Sequence, residues 1–192
     1  MALPPFENMC LCGGTSLALQ IGHRKSIDID LFGQVELDYI AISKALASVG
    51  TIQTIKHTQN INIYIINGIK VDIVNYHYPW IGSVITEDFI RLGSKQDIAA
   101  MKLAAITGRG SKKDFIDLYF LLEEYTMMDM LKFYNQKYSD GSIFMVLKSL
   151  VYFDDAEKDP EPIMLKPLQW QDVKIRIKKE VERYLSQSGY NP

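Results

Sequence analysis

The chain has 192 residues, enough for one domain or one domain with a helical extension, and its apolar fraction of 47% excludes a disordered polymer. A net charge of −2 excludes a global basic field, so a nucleic-acid partner would need a local patch. No apolar run approaches the roughly 18 residues of a membrane span, and the first residues, Met1 to Phe6, lack the basic start of a signal peptide. The two cysteines, Cys10 and Cys12, stand two apart on one strand, a poor disulfide geometry. They read as buried free thiols of a cytoplasmic protein.

In chain order, residues 7–12 form a short apolar strand that ends at Gly13-Gly14. A helix over 15–21 follows, with Leu17, Ala18 and Ile21 inward. Glycines before a helix let backbone N–H groups approach an anion, and the helix N-terminus adds partial positive charge. Next comes Ser26-Ile27-Asp28-Ile29-Asp30-Leu31-Phe32. In a strand, Ile27, Ile29 and Leu31 point one way, and Asp28 and Asp30 the other, roughly 6 to 7 Å apart at Cα. Two carboxylates that close repel unless a cation sits between them, and a hard divalent ion suits them. Residues 37–49 predict an amphipathic helix with Ile40, Ala41, Leu46 and Ala47 as its buried stripe.

Three strands are predicted over 51–57, 60–66 and 69–75, the last two joined by Asn67-Gly68, a strong hairpin signal. Asp72 lies between Val71 and Ile73 on the third of them. On an exposed face it would be unremarkable. Beside the Asp28/Asp30 strand it would complete a set of three carboxylates. Residues 76–93 are irregular and aromatic, with hints of short strands at Val84-Ile85 and Phe89-Ile90.

Ser94 and Asp97 read as the cap of a nearly all-apolar helix around 98–106, whose one cation is Lys102. Lys102 is either a rim lysine or a phosphate ligand. Ser111 is a second candidate cap, with Asp114 at the third helical position and Asp117 one turn further. Alone, Asp114 would be a capping carboxylate, and Asp117 either the same or a salt-bridge partner of Lys113. Helical segments are predicted over 127–137, 142–151 and 170–185, with an acidic, proline-bearing loop over 154–162. The lysines of the last helix read as a solvated face, with a nucleic-acid contact as the alternative.

Two strings together resemble a known family. The first runs Gly13-Gly14-Thr15-Ser16 to Ser26-Ile27-Asp28-Ile29-Asp30. The second is Lys102-Leu103-Ala104-Ala105-Ile106 through Arg109 to Lys113-Asp114 and Asp117-Leu118-Tyr119. In that order they resemble the AbiEii/AbiGii toxin branch of the DNA polymerase beta-like nucleotidyltransferases. The resemblance spans about residues 8–122, and the chain departs from the pattern in having only 12 residues before Gly13.

The resemblance implies an α+β fold, with a mixed-sheet core over 1–92 and a helical region over 93–192. It implies Asp28, Asp30 and Asp72 as metal ligands and catalytic residues, with Lys102 and Asp114 also catalytic. Gly13, Gly14, Thr15, Ser16, Arg24, Lys102 and Asp117 would bind nucleotide, and Arg109 and Lys113 are second-rank phosphate or acceptor contacts. The implied cofactor is Mg²⁺, in a two-metal site that Mn²⁺ could also fill. NTP, an RNA (tRNA ends among them) or protein acceptor, and a cognate antitoxin are the implied partners. The competing readings are a catalytically impaired nucleotide-binding or protein-interaction module on the same scaffold, and a small α/β interaction domain with a merely solvated acidic face.

Overall fold

A computed structural model describes residues 1, 3–34 and 38–188. Two compact units emerge: residues 1–20, 26–78 and 83–94 form the first, and 21–25, 79–82 and 95–192 the second.

The first unit is a seven-stranded mixed sheet. Its strands are β1 (Cys10–Leu11), β2 (Ile29–Gly33), β3 (Ile52–His57), β4 (Ile61–Ile66), β5 (Ile69–Asn75), β6 (Ile85–Glu87) and β7 (Ile90–Leu92), in the order β3-β4-β5-β2-β1-β7-β6. Strand β2 runs parallel to β5 and antiparallel to β1, while β1 runs parallel to β7. The alternation expected of β2 and β5 holds where they pair. Leu31, Val71 and Ile73 are buried in one cluster with Phe6, Met9, Leu11, Ile42, Leu46, Tyr64 and Leu92. The Asn67-Gly68 hairpin forms, both residues adopting positive φ.

Helix α1 (Gly13–Ile21) starts at the glycines rather than after them, and α2 (Tyr39–Ala47) begins on an Asp38 cap. The helix predicted to open at Leu37 has that residue outside the described set. The predicted stripe of α2 needs correction: Ile40 is 76% exposed, and Ala41 and Ala47 are also exposed. Ile42 and Leu46, four apart, carry the burial instead. With apolar residues on most sides of so short a helix, only the position of the sheet selects the inward face. Ile27, too, is exposed, because β2 begins two residues later.

A second hairpin, β6–β7, turns through Asp88 and Phe89 with φ of 47° and 63°. Such a turn favours Asn-Gly, so a phenylalanine there, 94% exposed, escapes the usual sequence signal.

The second unit is helical: α3 (Lys95–Gly108), α4 (Lys112–Leu121), α5 (Met127–Lys137), α6 (Ile143–Leu150), α7 (Asp154–Glu157) and α8 (Trp170–Ser188). The predicted loop over 154–162 thus opens with one helical turn. Residues 189–192 of the predicted helical region lie outside the described residues. Asp97, in the first turn of α3, has a fully buried carboxylate with long-range partners. It accepts from the backbone N–H groups of Ile81 (2.9 Å) and Gly82 (3.1 Å) and pairs with Lys137 Nζ at 2.7 Å. Lys137 also donates to the Pro79 carbonyl and lies 4.9 Å from the Trp80 ring centre. The pair thereby ties the 79–82 segment to α3 and α5. Lys174 of α8 pairs with Glu157, in keeping with a neutralised, solvated face.

Candidate active site

The first constellation belongs to the sheet unit. Cys12 N–H donates to the Asp30 carbonyl at 2.9 Å, which brings the start of α1 over β2. Gly13 then lies directly on the Asp30 side chain. A Cβ at Gly13 would stand 2.4 Å from Asp30 Oδ2, and the residue adopts φ +67°. Glycine is required there twice, for space and for backbone conformation. Asp30 is in register with Asp72 across the parallel β2–β5 pair, so both side chains project from one face of strands about 4.8 Å apart. Asp28 lies just before β2, and its carbonyl accepts from the Thr15 hydroxyl, which also lies 2.9 Å from Ser26 Oγ.

Thr15 and Ser16 are therefore engaged. Thr15 fastens α1 to the entrance of the carboxylate strand, and the buried Ser16 hydroxyl accepts from Gln20. What α1 offers an anion are the first-turn amides around Gly13 and Gly14, which a helix leaves without intrahelical partners.

The donor set suits a hard divalent ion. It consists of carboxylate oxygens, a glycine leaves room above Asp30, and Asp72 Oδ1 is buried with no hydrogen-bond partner among the described residues. Among the described residues, however, no three histidines, cysteines or carboxylates are gathered closely enough to hold an ion as they stand. On β5, Asp72 Oδ2 is paired with Lys70 Nζ at 2.5 Å.

The second constellation belongs to the helical unit and brings together the second sequence string. Lys102, 4% exposed, is neither a rim lysine nor unpaired. Its ammonium lies 2.8 Å from Asp114 Oδ1 and 2.6 Å from Asp117 Oδ2, both carboxylates being fully buried. Arg24 clasps Asp117 with two donors, at 2.6 and 2.9 Å, and His23 Nε2 stands 2.7 Å from the same carboxylate. Arg109 donates twice to Asp114, at 2.8 and 3.1 Å. Ser111 is the N-cap residue of α4, as expected, and its hydroxyl donates to Asp114 at 2.6 Å rather than accepting from the helix backbone. Asp117 finds these partners rather than Lys113.

Burial by itself would raise the pKa of both aspartates. For Asp114 the charge of Lys102 and the hydrogen bonds and charge of Arg109 prevail. For Asp117 Lys102, His23 and Arg24 do so. Both carboxyls are held well below the usual range. Burial likewise opposes the charge on Lys102, yet the two carboxylates win and its pKa is raised. Three cations thus surround two carboxylates, and Arg109, with a 61% exposed side chain, is the network's outward member.

Sequence reasoning missed the depth of this network and the Asp97–Lys137 pair. Spacing held the signal in both cases. Lys102 stands midway between Ile98 and Ile106 on the buried stripe of α3, and Lys137 continues the stripe of Met130 and Tyr134. A lysine in phase with buried apolar residues calls for a buried carboxylate.

The family model described as "Nucleotidyl transferase AbiEii toxin, Type IV TA system" matches residues 2–92. An uncharacterized protein of Aquifex aeolicus, aq_aa25, is 34% identical over 185 residues, covering 91% of this chain and 87% of its own. Two solved structures share the fold. JHP933 from Helicobacter pylori aligns with a TM-score of 0.60 at 18% identity, covering 95% of this chain and 87% of its own. MenT4, a nucleotidyltransferase toxin from Mycobacterium tuberculosis H37Rv, aligns with a TM-score of 0.60 at 13% identity, covering 94% and 76%. The fold and the family match define the class of protein as a nucleotidyltransferase. The chain belongs to the AbiEii nucleotidyltransferase toxin family. Among its described residues no helix is long and apolar enough to cross a membrane.

Replacing Gly13 by alanine tests the first constellation. The new methyl must displace the Asp30 carboxylate, and alanine must hold a positive φ. A stability loss of about 1–2 kcal/mol is expected in urea unfolding, together with loss of nucleotidyl transfer. Unchanged activity would show that the close approach of α1 to Asp30 is incidental.

Proposed function

We propose that the chain is a metal-dependent nucleotidyltransferase that moves a nucleoside monophosphate from an NTP to a hydroxyl of an RNA, as the toxin of a toxin–antitoxin pair. The observation that carries this reading is the in-register pairing of Asp30 with Asp72 beside Gly13 at the start of α1.

Asp28, Asp30 and Asp72 would hold divalent ions, Mg²⁺ or Mn²⁺, which supply charge neutralisation at the reacting phosphorus and a more acidic acceptor hydroxyl. In this reading Asp30 and Asp72 fix the triphosphate and the acceptor from neighbouring strands. Holding the reactants in line is most of the catalysis, since little covalent chemistry falls to the protein. The first-turn amides at Gly13 and Gly14 hold phosphate oxygens, and Thr15 sets the distance between that turn and Asp28. Lys102, Asp114 and Asp117 enter as the family's second signature, with Arg24 from the first string joined to them through Asp117. We assign them the ordering of α3 and α4, with Arg109 as the cation open to a phosphate. The expected protein partner is a cognate antitoxin, and the expected compartment is the cytoplasm.

The test is incubation with each α-labelled NTP, total RNA and Mg²⁺ or Mn²⁺. Label covalently joined to RNA, and abolished by EDTA, is the expected result. Label on protein would replace the acceptor, label indifferent to EDTA would remove the metal, and no label with any NTP would favour the impaired scaffold.

A further inference from the structure

Lys70 has no assigned part in the reaction. It stands two residues before Asp72 on β5, on the same face of the sheet, and that face also carries Asp30 through the Asp30–Asp72 register. Its ammonium lies 2.5 Å from Asp72 Oδ2, while Oδ1 of the same carboxylate is buried without a hydrogen-bond partner among the described residues. The side chains are 41% and 19% exposed, so the lysine can swing into solvent while the aspartate stays in place. An ion-pair contact this close occupies the position a cation would need in order to ligate Oδ2. Ammonium and divalent ion therefore exclude each other there, by volume and by like charge.

We propose that Lys70 is the exchange partner of the divalent cation at Asp72. It neutralises the carboxylate before the ion arrives, keeps Asp72 turned away from a ready-made three-ligand cluster, and is expelled when the ion binds. The inference rests on the metal reading given above and adds to it a residue that sets the ion's affinity. Lys70 is a positioning residue, acting through Asp72. The pairing also explains why the described residues hold no pre-gathered ligand cluster although the strands are in register. Without a counter-cation, neighbouring carboxylates repel each other.

The test is direct binding of Mn²⁺ to the full chain, followed by calorimetry and by the loss of free-ion paramagnetic resonance, without any turnover. Lys70→Met should bind Mn²⁺ about two- to fivefold more tightly than the unmodified chain, the range that corresponds to releasing one partly exposed ion pair. Lys70→Arg, which keeps the competing charge, should restore the original affinity. In an Asp72→Asn background the Lys70→Met effect should vanish, because the competition has lost its object. Lys44→Met, on α2 across the sheet, controls for net charge and should leave binding unchanged.

Equal or weaker binding by Lys70→Met overturns the exchange, as does an effect that survives in Asp72→Asn or is reproduced by Lys44→Met. Absence of Mn²⁺ binding in every form, with circular dichroism showing folded protein, overturns the metal reading itself and the exchange with it.

Discussion

Asp30→Asn and Asp72→Asn should each lower nucleotidyl transfer by about 10²–10³-fold, with little change in the urea midpoint. The amide is nearly isosteric with the carboxylate, so only the charge is removed. The backbone contact that seats α1, Cys12 N–H to the Asp30 carbonyl, does not involve the side chain. Packing on the opposite face of β2 and β5 is carried by Leu31, Val71 and Ile73 and is likewise untouched. Steady-state transfer rates beside unfolding curves check both halves of the expectation. A variant that keeps its activity would dismiss the in-register pair as the reaction centre. One that unfolds would show that the carboxylates hold the sheet together.

Asp117→Ala should act in the opposite way, on stability first. It leaves Lys102 and Arg24 buried, the latter without its two-donor partner, and deprives His23 of its contact. Removing one member of a buried ion pair costs about 3–5 kcal/mol, since the remaining charge keeps its desolvation penalty. The urea midpoint should fall by about 1 M or more, and activity should follow the fold.

The pH dependence has a definite sign. Asp114 and Asp117 have native pKa values well below the unfolded value of about 3.9. Their contribution is therefore complete above that value and is lost as pH falls through the lower native ones. The raised pKa of Lys102 adds a contribution present at neutral pH and lost only in strong base. Acid unfolding should accordingly begin below about pH 4 and become shallower in Asp117→Ala. An acid limb of the same steepness in both proteins would show that Asp117 is not one of the groups driving it.

The two sets of results should separate the two strings of the sequence. The first, at its carboxylates Asp28 and Asp30, is expected to report on chemistry at nearly constant stability. The second, Lys102 to Asp117, is expected to report on stability before chemistry. Lys102 illustrates why the distinction could not be read from the string alone. The same residue suits a phosphate ligand or a buried counter-ion, and only the two carboxylates at 2.6 and 2.8 Å show which contacts it makes in the folded chain.

Local sequence determined most of the elements. The hairpin at Asn67-Gly68, the strand alternation around Asp30 and Asp72, and the helices over 127–137 and 170–185 follow from turn chemistry and apolar periodicity. Both act within a few residues and need no knowledge of the rest of the chain. Tertiary structure alone decided the partners. Asp72 meets Asp30 because β5 lies beside β2 in one register, and Asp117 meets Arg24 across 93 positions of sequence. It also decided which face of α2 turns inward and that Asp97 holds the 79–82 segment. A charge or an apolar face has no preferred partner until the chain brings one within a few ångströms, and that distance is a property of the whole fold.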